Sequence, residues 1–124
     1  MKKTLVNLSN HHSKIWSDEQ KKEWDYIIDV PFPEIPTHYT TKDVERIVDE
    51  YGKKLDKIIE AEDGKSLYIM VQGEPSFTCM MQNVIALDMI AGCWDFAYPV
   101  LERTTIEENG EKINKMKFVR WRIF

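Results

Sequence analysis

The longest concentration of apolar positions lies between Ser66 and Ile90, in the stretch SLYIMVQGEPSFTCMMQNVIALDMI. Leu67, Tyr68, Ile69, Met70 and Val71 form an unbroken run of strand formers, the pattern of a strand covered on both faces. The run stops at Gly73-Glu74-Pro75-Ser76, where Gly tolerates unusual backbone and Pro withholds a ladder hydrogen bond. Ser76 or Thr78 is placed to cap a buried helix that stays apolar to Gly92. Strand, tight polar turn and helix make the central half of a βαβ unit. In open α/β sheets such turns, at the carboxyl ends of strands, hold the ligand.

The flanking pattern extends this unit in both directions. Thr4 to Leu8 reads as a short first strand, closed by the polar cluster Ser9, Asn10, His11, His12 and Ser13. Ser17 and Gln20 have capping-box spacing ahead of a brief helix to about Asp25. Tyr26 to Val30 reads as a second strand, ended by Pro31-Phe32-Pro33. A helix starting at Thr40 or Thr41 carries Val44, Ile47, Val48, Tyr51, Leu55, Ile58 and Ile59 at three- and four-residue steps, one apolar stripe. Gly52 marks a candidate break in it, and Asp63-Gly64 its end. Beyond Gly92, Trp94 to Glu108 and Ile113 to Phe124 read as two strands joined by Asn109-Gly110. That dipeptide accepts the positive φ of a tight hairpin.

The element order is therefore β-α-β-α-β-α-β-β, a single α/β domain over residues 1–124. It predicts a mainly parallel sheet of about five strands, helices on both faces and an antiparallel C-terminal hairpin. The run from Ser66 to Val71 should be central in the sheet. Right-handed crossovers would set the ends of the first and third strands side by side.

Charge narrows the possible partners. A net charge of −4 argues against a groove for long duplex nucleic acid, which needs a broad cationic face. It leaves room for a small anion held by a few local donors. Met1-Lys2-Lys3 is followed only by Leu5 and Val6 before Asn7, far short of the roughly 7 to 15 apolar residues of a secretory leader. Cys79 and Cys93 are two isolated thiols, which fit a reduced compartment and a cytoplasmic protein without membrane partners. Fourteen aromatics in so small a domain suggest apolar surface outside the core, and hence a two-fold homodimer.

The candidate chemistry gathers at two turns, Asn7 to His12 and Gly73 to Thr78. Ser9, Asn10, Gly73, Ser76 and Thr78 are candidate ligand contacts, with helix N-terminal amides offered to an anion such as a phosphate. The competing reading makes them ordinary loop and capping residues. His11 and Glu74 are each candidates for an acid/base role, which the adjacent His12 could equally fill; alternatively the histidines are solvated loop residues and Glu74 binds a ribose hydroxyl or satisfies amides in the first helical turn. Arg103, with Thr104 beside it, could contact a phosphate through its planar fork or pair with Glu102 or Glu74. Lys112, Lys115, Lys117, Arg120 and Arg122 read as a solvated edge strand that resists aggregation. No GxGxxG or Walker-type lysine loop is present. A metal is not expected, since only His38 remains beyond the His11-His12 pair, and no cofactor is expected.

The segments NLSNHHSKIWSDEQ, VPFPEI, VQGEPSFT, ERTT and KFVRWRIF together resemble a group of small bacterial proteins, some of them CRISPR-associated. These are similar to single-domain members of the CARF family, a Rossmann-like sensor fold. The resemblance implies a three-layer Rossmann-like architecture and a nucleotide-like anion, such as a cyclic oligoadenylate, bound across a dimer. It places Ser9-Asn10-His11 in the first-strand ligand position and Gly73-Glu74-Pro75-Ser76 in a later ligand loop. Some members cleave their ligand without metal, so a phosphodiester- or N-glycosidic-bond-cleaving enzyme is the alternative function. A third reading is a protein-interaction subunit acting through its C-terminal hairpin. This chain departs from the CARF pattern in its acidic balance and in lacking a cluster of site lysines.

Overall fold

A computed structural model describes residues 2–62, 66–90 and 92–124, the side chains of residues 88–90 excepted. Along the chain lie β1 (Lys3–Ser9), a 3-10 turn (Ser13–Ile15), α1 (Asp18–Lys21), β2 (Tyr26–Pro31) and α2 (Thr41–Ala61). They are followed by β3 (Ser66–Gln72), α3 (Pro75–Ile90), β4 (Asp95–Glu108) and β5 (Glu111–Ile123). The fold is α/β, with a five-stranded mixed sheet in the order β2-β1-β3-β4-β5. β1 runs parallel to β2 and β3, β3 runs parallel to β4, and β4 pairs antiparallel with β5. The apolar run from Ser66 is the middle strand, as its pattern predicts.

α2 begins where its cap dictates. The Thr40 side chain accepts from the Asp43 amide while the Asp43 carboxylate accepts from the Thr40 amide, so two otherwise orphaned donors are satisfied. Val44, Val48, Tyr51 and Leu55 of the predicted stripe are buried. Gly52 does not break the helix, which runs through it from Thr41 to Ala61. A roughly 1 kcal/mol cost for Gly in a helix interior is small beside the burial of that stripe. The expected helix end at Asp63-Gly64 lies outside the described residues.

α3 departs from its prediction in two ways. It starts at Pro75 rather than after a Ser76 or Thr78 cap. It is also buried on one side only: Phe77, Met81 and Ile85 are fully enclosed, while Val84 is 37% and Leu87 69% exposed. Its apolar composition all round had suggested burial all round.

The two sides of the sheet are covered differently. Val6, Leu8, Leu67, Ile69 and Val71 form one core with residues of both α2 and α3. Leu5, Met70 and Ala97 belong to a second core closed by Trp16 and Trp24, with Trp121 packed against it. The expected long helices on both faces are thus found together on one face. The other face is closed by indole rings, Trp24 and Trp121 meeting edge-to-face at 5.2 Å. The short β1–β2 connection holds only single helical turns, so large aromatics supply the area a helix would have covered.

The hairpin turns at Asn109 and Gly110, both at positive φ (54° and 79°) as the dipeptide predicts. β4 pairs with β3 only at Asp95 and Phe96, and the β4–β5 ladder then continues alone past a register shift between Val100 and Leu101. Every β4 residue from Leu101 onward is exposed. Pro99 is tolerated because β4 has by then left β3 and no neighbour asks for its missing donor. Among the described residues no helix is long and apolar enough to cross a membrane.

Candidate functional site

The strand order decides where the polar turns meet. The β1→β2 connection leads one way across the sheet, whereas β3 and β4 follow on the other side of β1. The carboxyl ends of β1 and β3 flank that reversal, with Ser9 opposite Gln72 in the parallel ladder. This is the position at which open α/β sheets leave a crevice.

The turn after β1 is held by a buried polar network whose centre is Asp29 of β2. Asn7, only 1% exposed, donates through Nδ2 to Asp29 Oδ1 at 2.8 Å and to the His11 carbonyl at 2.9 Å. Its Oδ1 accepts from Ser9 Oγ at 2.6 Å. Ser13 donates its amide to Asp29 Oδ1 at 2.9 Å and its hydroxyl to Oδ2 at 2.6 Å. Burial alone would raise the Asp29 pKa. The hydrogen bonds from Ser13 and Asn7, with His12 beside them, outweigh it and hold the carboxyl below its ordinary value. Asn7 and Ser13 together give the Asp29 carboxylate three hydrogen bonds, which tie the loop to β2.

Within this turn the histidines differ in use. His12 Nδ1 accepts from the Lys14 amide at 3.0 Å, capping the 3-10 turn, and Nε2 lies 3.5 Å from Asp29 Oδ2. Its two nitrogens thus face the loop amide of Lys14 and the β2 carboxylate of Asp29. The His11 carbonyl accepts from Asn7 and Ser9, while its exposed side chain helps wall a cavity.

At the turn after β3, Glu74 is the cap. Its carboxylate accepts from the Ser76 amide at 2.7 Å and the Phe77 amide at 3.3 Å, and its carbonyl accepts from the Thr78 amide. These bonds, the Ser76 amide first, lower its pKa. The free amides expected at this helix start are therefore taken by the chain itself. Ser76 is exposed and meets the Glu74 carboxylate with its side chain as well as its amide, and the Thr78 hydroxyl is buried without a partner. The room left by Gly73 is filled by Phe32, since a Cβ there would stand 2.4 Å from that ring. Gly73 serves close packing, and the expected backbone approach of a ligand is closed.

Two cavities flank the β1 turn, and Ser9 lines both. One, of about 620 Å³, is bounded by Asn7, Asn10, His12, Phe32 and the carboxylates of Asp29, Glu34 and Glu74. Its acidic rim opposes an anion. The other, of about 630 Å³, lies between the body and the hairpin. Ser9, His11, Trp16, Met70 and Gln72 wall it from the body, and Leu101, Thr104, Lys115, Lys117 and Phe118 from the hairpin. The predicted residues are thus divided: His11 and Thr104 line the second cavity, Asn10 and Glu74 the first, and His11 and Glu74 share neither. Arg103 is exposed on the hairpin, outside the walls of both.

The sequence reading missed Asp29, Lys115 and Lys117. Asp29 had a signal, as the lone charge in the apolar strand YIIDVP. The two lysines had none, because an alternating basic strand looks the same whether it faces water or a cavity. Among the described residues no group of three or more His, Cys, Asp or Glu is placed to hold a metal ion.

The profile of the Uncharacterized protein MJ1673 family matches residues 3–122. The chain belongs to that family. The match takes in every element of the MJ1673-family chain from β1 to the closing residues of β5, the cavity walls included. No curated protein and no solved structure matches the chain significantly.

Proposed function

We propose that the chain is a Rossmann-like binding module for a small nucleotide-like anion, held in the cavity between the β1 and β3 ends and the hairpin. The cavity itself carries this reading: about 630 Å³ at the reversal point of the sheet, within the range of small-molecule sites. Its walls suit a planar ring with an anionic tail. Trp16, Phe118 and Met70 supply apolar surface; Ser9, Gln72 and Thr104 supply hydrogen-bonding groups; Lys115 and Lys117 supply positive charge. A mainly parallel sheet agrees with three of the four strand pairings. The resemblance to CARF proteins points to a cyclic oligoadenylate as the first ligand to try, bound across a homodimer. A binding role is preferred to cleavage because the candidate pair His11 and Glu74 is split between two cavities.

Titration calorimetry against mononucleotides, cyclic dinucleotides and cyclic oligoadenylates tests the proposal. The parent protein should bind at least one of them. Lys115→Glu with Lys117→Glu should abolish the heat, and Glu74→Gln should leave it unchanged. Absence of binding across the panel, or binding that survives the double charge reversal, overturns the reading. Light scattering with and without the bound ligand tests the dimer.

A further inference from the structure

The side of the hairpin root away from Trp121 carries a second arrangement that the cavity does not use. Residues directly opposite in an antiparallel ladder share a face, and those two positions further on share it too. Tyr98 faces Arg122 and Val100 faces Arg120 across β4 and β5. The Phe124 amide donates to the Phe96 carbonyl at 2.9 Å, which sets those two residues opposite one another at the end of the same row. One face therefore holds Phe96, Tyr98 and Phe124 together with Arg120 and Arg122. The Phe96 and Tyr98 rings stack with centroids 6.0 Å apart and planes at 27°, and Phe124 meets Tyr98 at 6.1 Å. Gln82 of α3 hydrogen-bonds the Tyr98 hydroxyl and holds that ring. Phe124 is 66% exposed, and both arginines are exposed.

We propose that this face binds single-stranded nucleic acid, with a base stacked on the exposed Phe124 ring beside the Phe96–Tyr98 pair and phosphates met by Arg120 and Arg122. The chemistry is that of single-strand platforms: a row of aromatic rings for sequence-tolerant stacking beside cations that follow the backbone. Charge selects this occupant over a second copy of the chain. A two-fold contact through the face would set Arg120 and Arg122 against their own copies. Charge also selects a single strand over a duplex. A duplex hides its base faces and needs a cationic surface far wider than two arginines. The acidic balance of the whole chain sets the expected affinity low and its salt dependence measurable.

Fluorescence anisotropy of a labelled ten-nucleotide oligo(dT) or oligo(U), with a blunt duplex of the same length as control, tests the proposal. The single strand should bind more tightly than the duplex. Phe124→Ala, at an exposed position that leaves the fold intact by circular dichroism, should weaken it about fivefold or more. Arg120→Ala with Arg122→Ala should weaken it further and flatten the plot of log affinity against log salt by about 1.4. Lys112→Ala near the hairpin tip should change little. The proposal is overturned if no binding is seen, if the duplex binds as well, or if either variant keeps parental affinity. It is also overturned if light scattering shows a dimer that Phe124→Ala dissolves, because the aromatic row would then be an interface between copies.

Discussion

β3 and the outer half of the β4–β5 hairpin are both strands, yet they stand under opposite constraints. β3 is flanked by strands on both edges, and Leu67, Ile69, Met70 and Val71 are all nearly or fully buried. The hairpin beyond Leu101 is a two-stranded ribbon whose residues are exposed apart from half-buried Ile113 and Phe118. Ribbons of that kind are marginal in water by themselves. Here the root supplies the hold: Trp121 donates to the Gln20 carbonyl at 2.8 Å and packs among Trp16, Trp24 and Phe118. Stability is thus concentrated in the body, and the ribbon is left to shape the cavity wall.

The largest expected break of this contrast is Ile69→Ala. The side chain is fully buried between β3 and the helices, so urea unfolding should report a loss of about 2–5 kcal/mol. A loss below about 1 kcal/mol would mean that the central core is not packed as described.

Next in size is Gly73→Val. Its side chain would drive into the Phe32 ring, and overpacking of this kind costs about 1–3 kcal/mol. Combining it with Phe32→Ala should recover part of that loss. Additive losses instead would show that the two positions do not touch.

Glu74→Ala should cost about 1 kcal/mol by uncapping α3. Because the folded-state pKa of Glu74 is lowered, its contribution is complete above the ordinary glutamate pKa. It is lost as pH falls through the lowered value. Asp29, also lowered, follows the same sign. Stability of Glu74→Ala relative to the parent should therefore converge in acid, as read by thermal melts between neutral pH and pH of about 3.

The smallest effect is expected at Ile106→Ala in the ribbon. Ile106 is 38% exposed and belongs to neither core, so the variant's unfolding free energy should stay within about 0.5 kcal/mol of the parent's. A larger loss would show that the ribbon is held by more than its root.

Much of this architecture was readable from residue order. The unbroken run Leu67–Val71 announced a middle strand because a strand covered on both faces has no use for alternation. Thr40 or Thr41 announced the start of α2, and Asn109-Gly110 the hairpin, because capping and positive φ are local demands that particular side chains meet. The two polar turns were readable as well, since parallel strands must end in loops at one edge.

What the turns hold was decided by tertiary structure. Glu74 could have met a ligand or its own helix, and only the placement of the Ser76 and Phe77 amides chose the helix. Gly73 looked like room for a ligand until the distant Phe32 filled it. Val84 and Leu87 are no less apolar than Met81 and Ile85, and only the packing of α3 on one core leaves the first two in water. Lys115 and Lys117 resembled any solvated edge, and the path of the ribbon past the β1 turn made them cavity walls. Local preferences act over a few residues and can be read in order along the chain. Which distant groups come to share a space depends on how strands are ordered and how the sheet is covered, and those are properties of the packed whole.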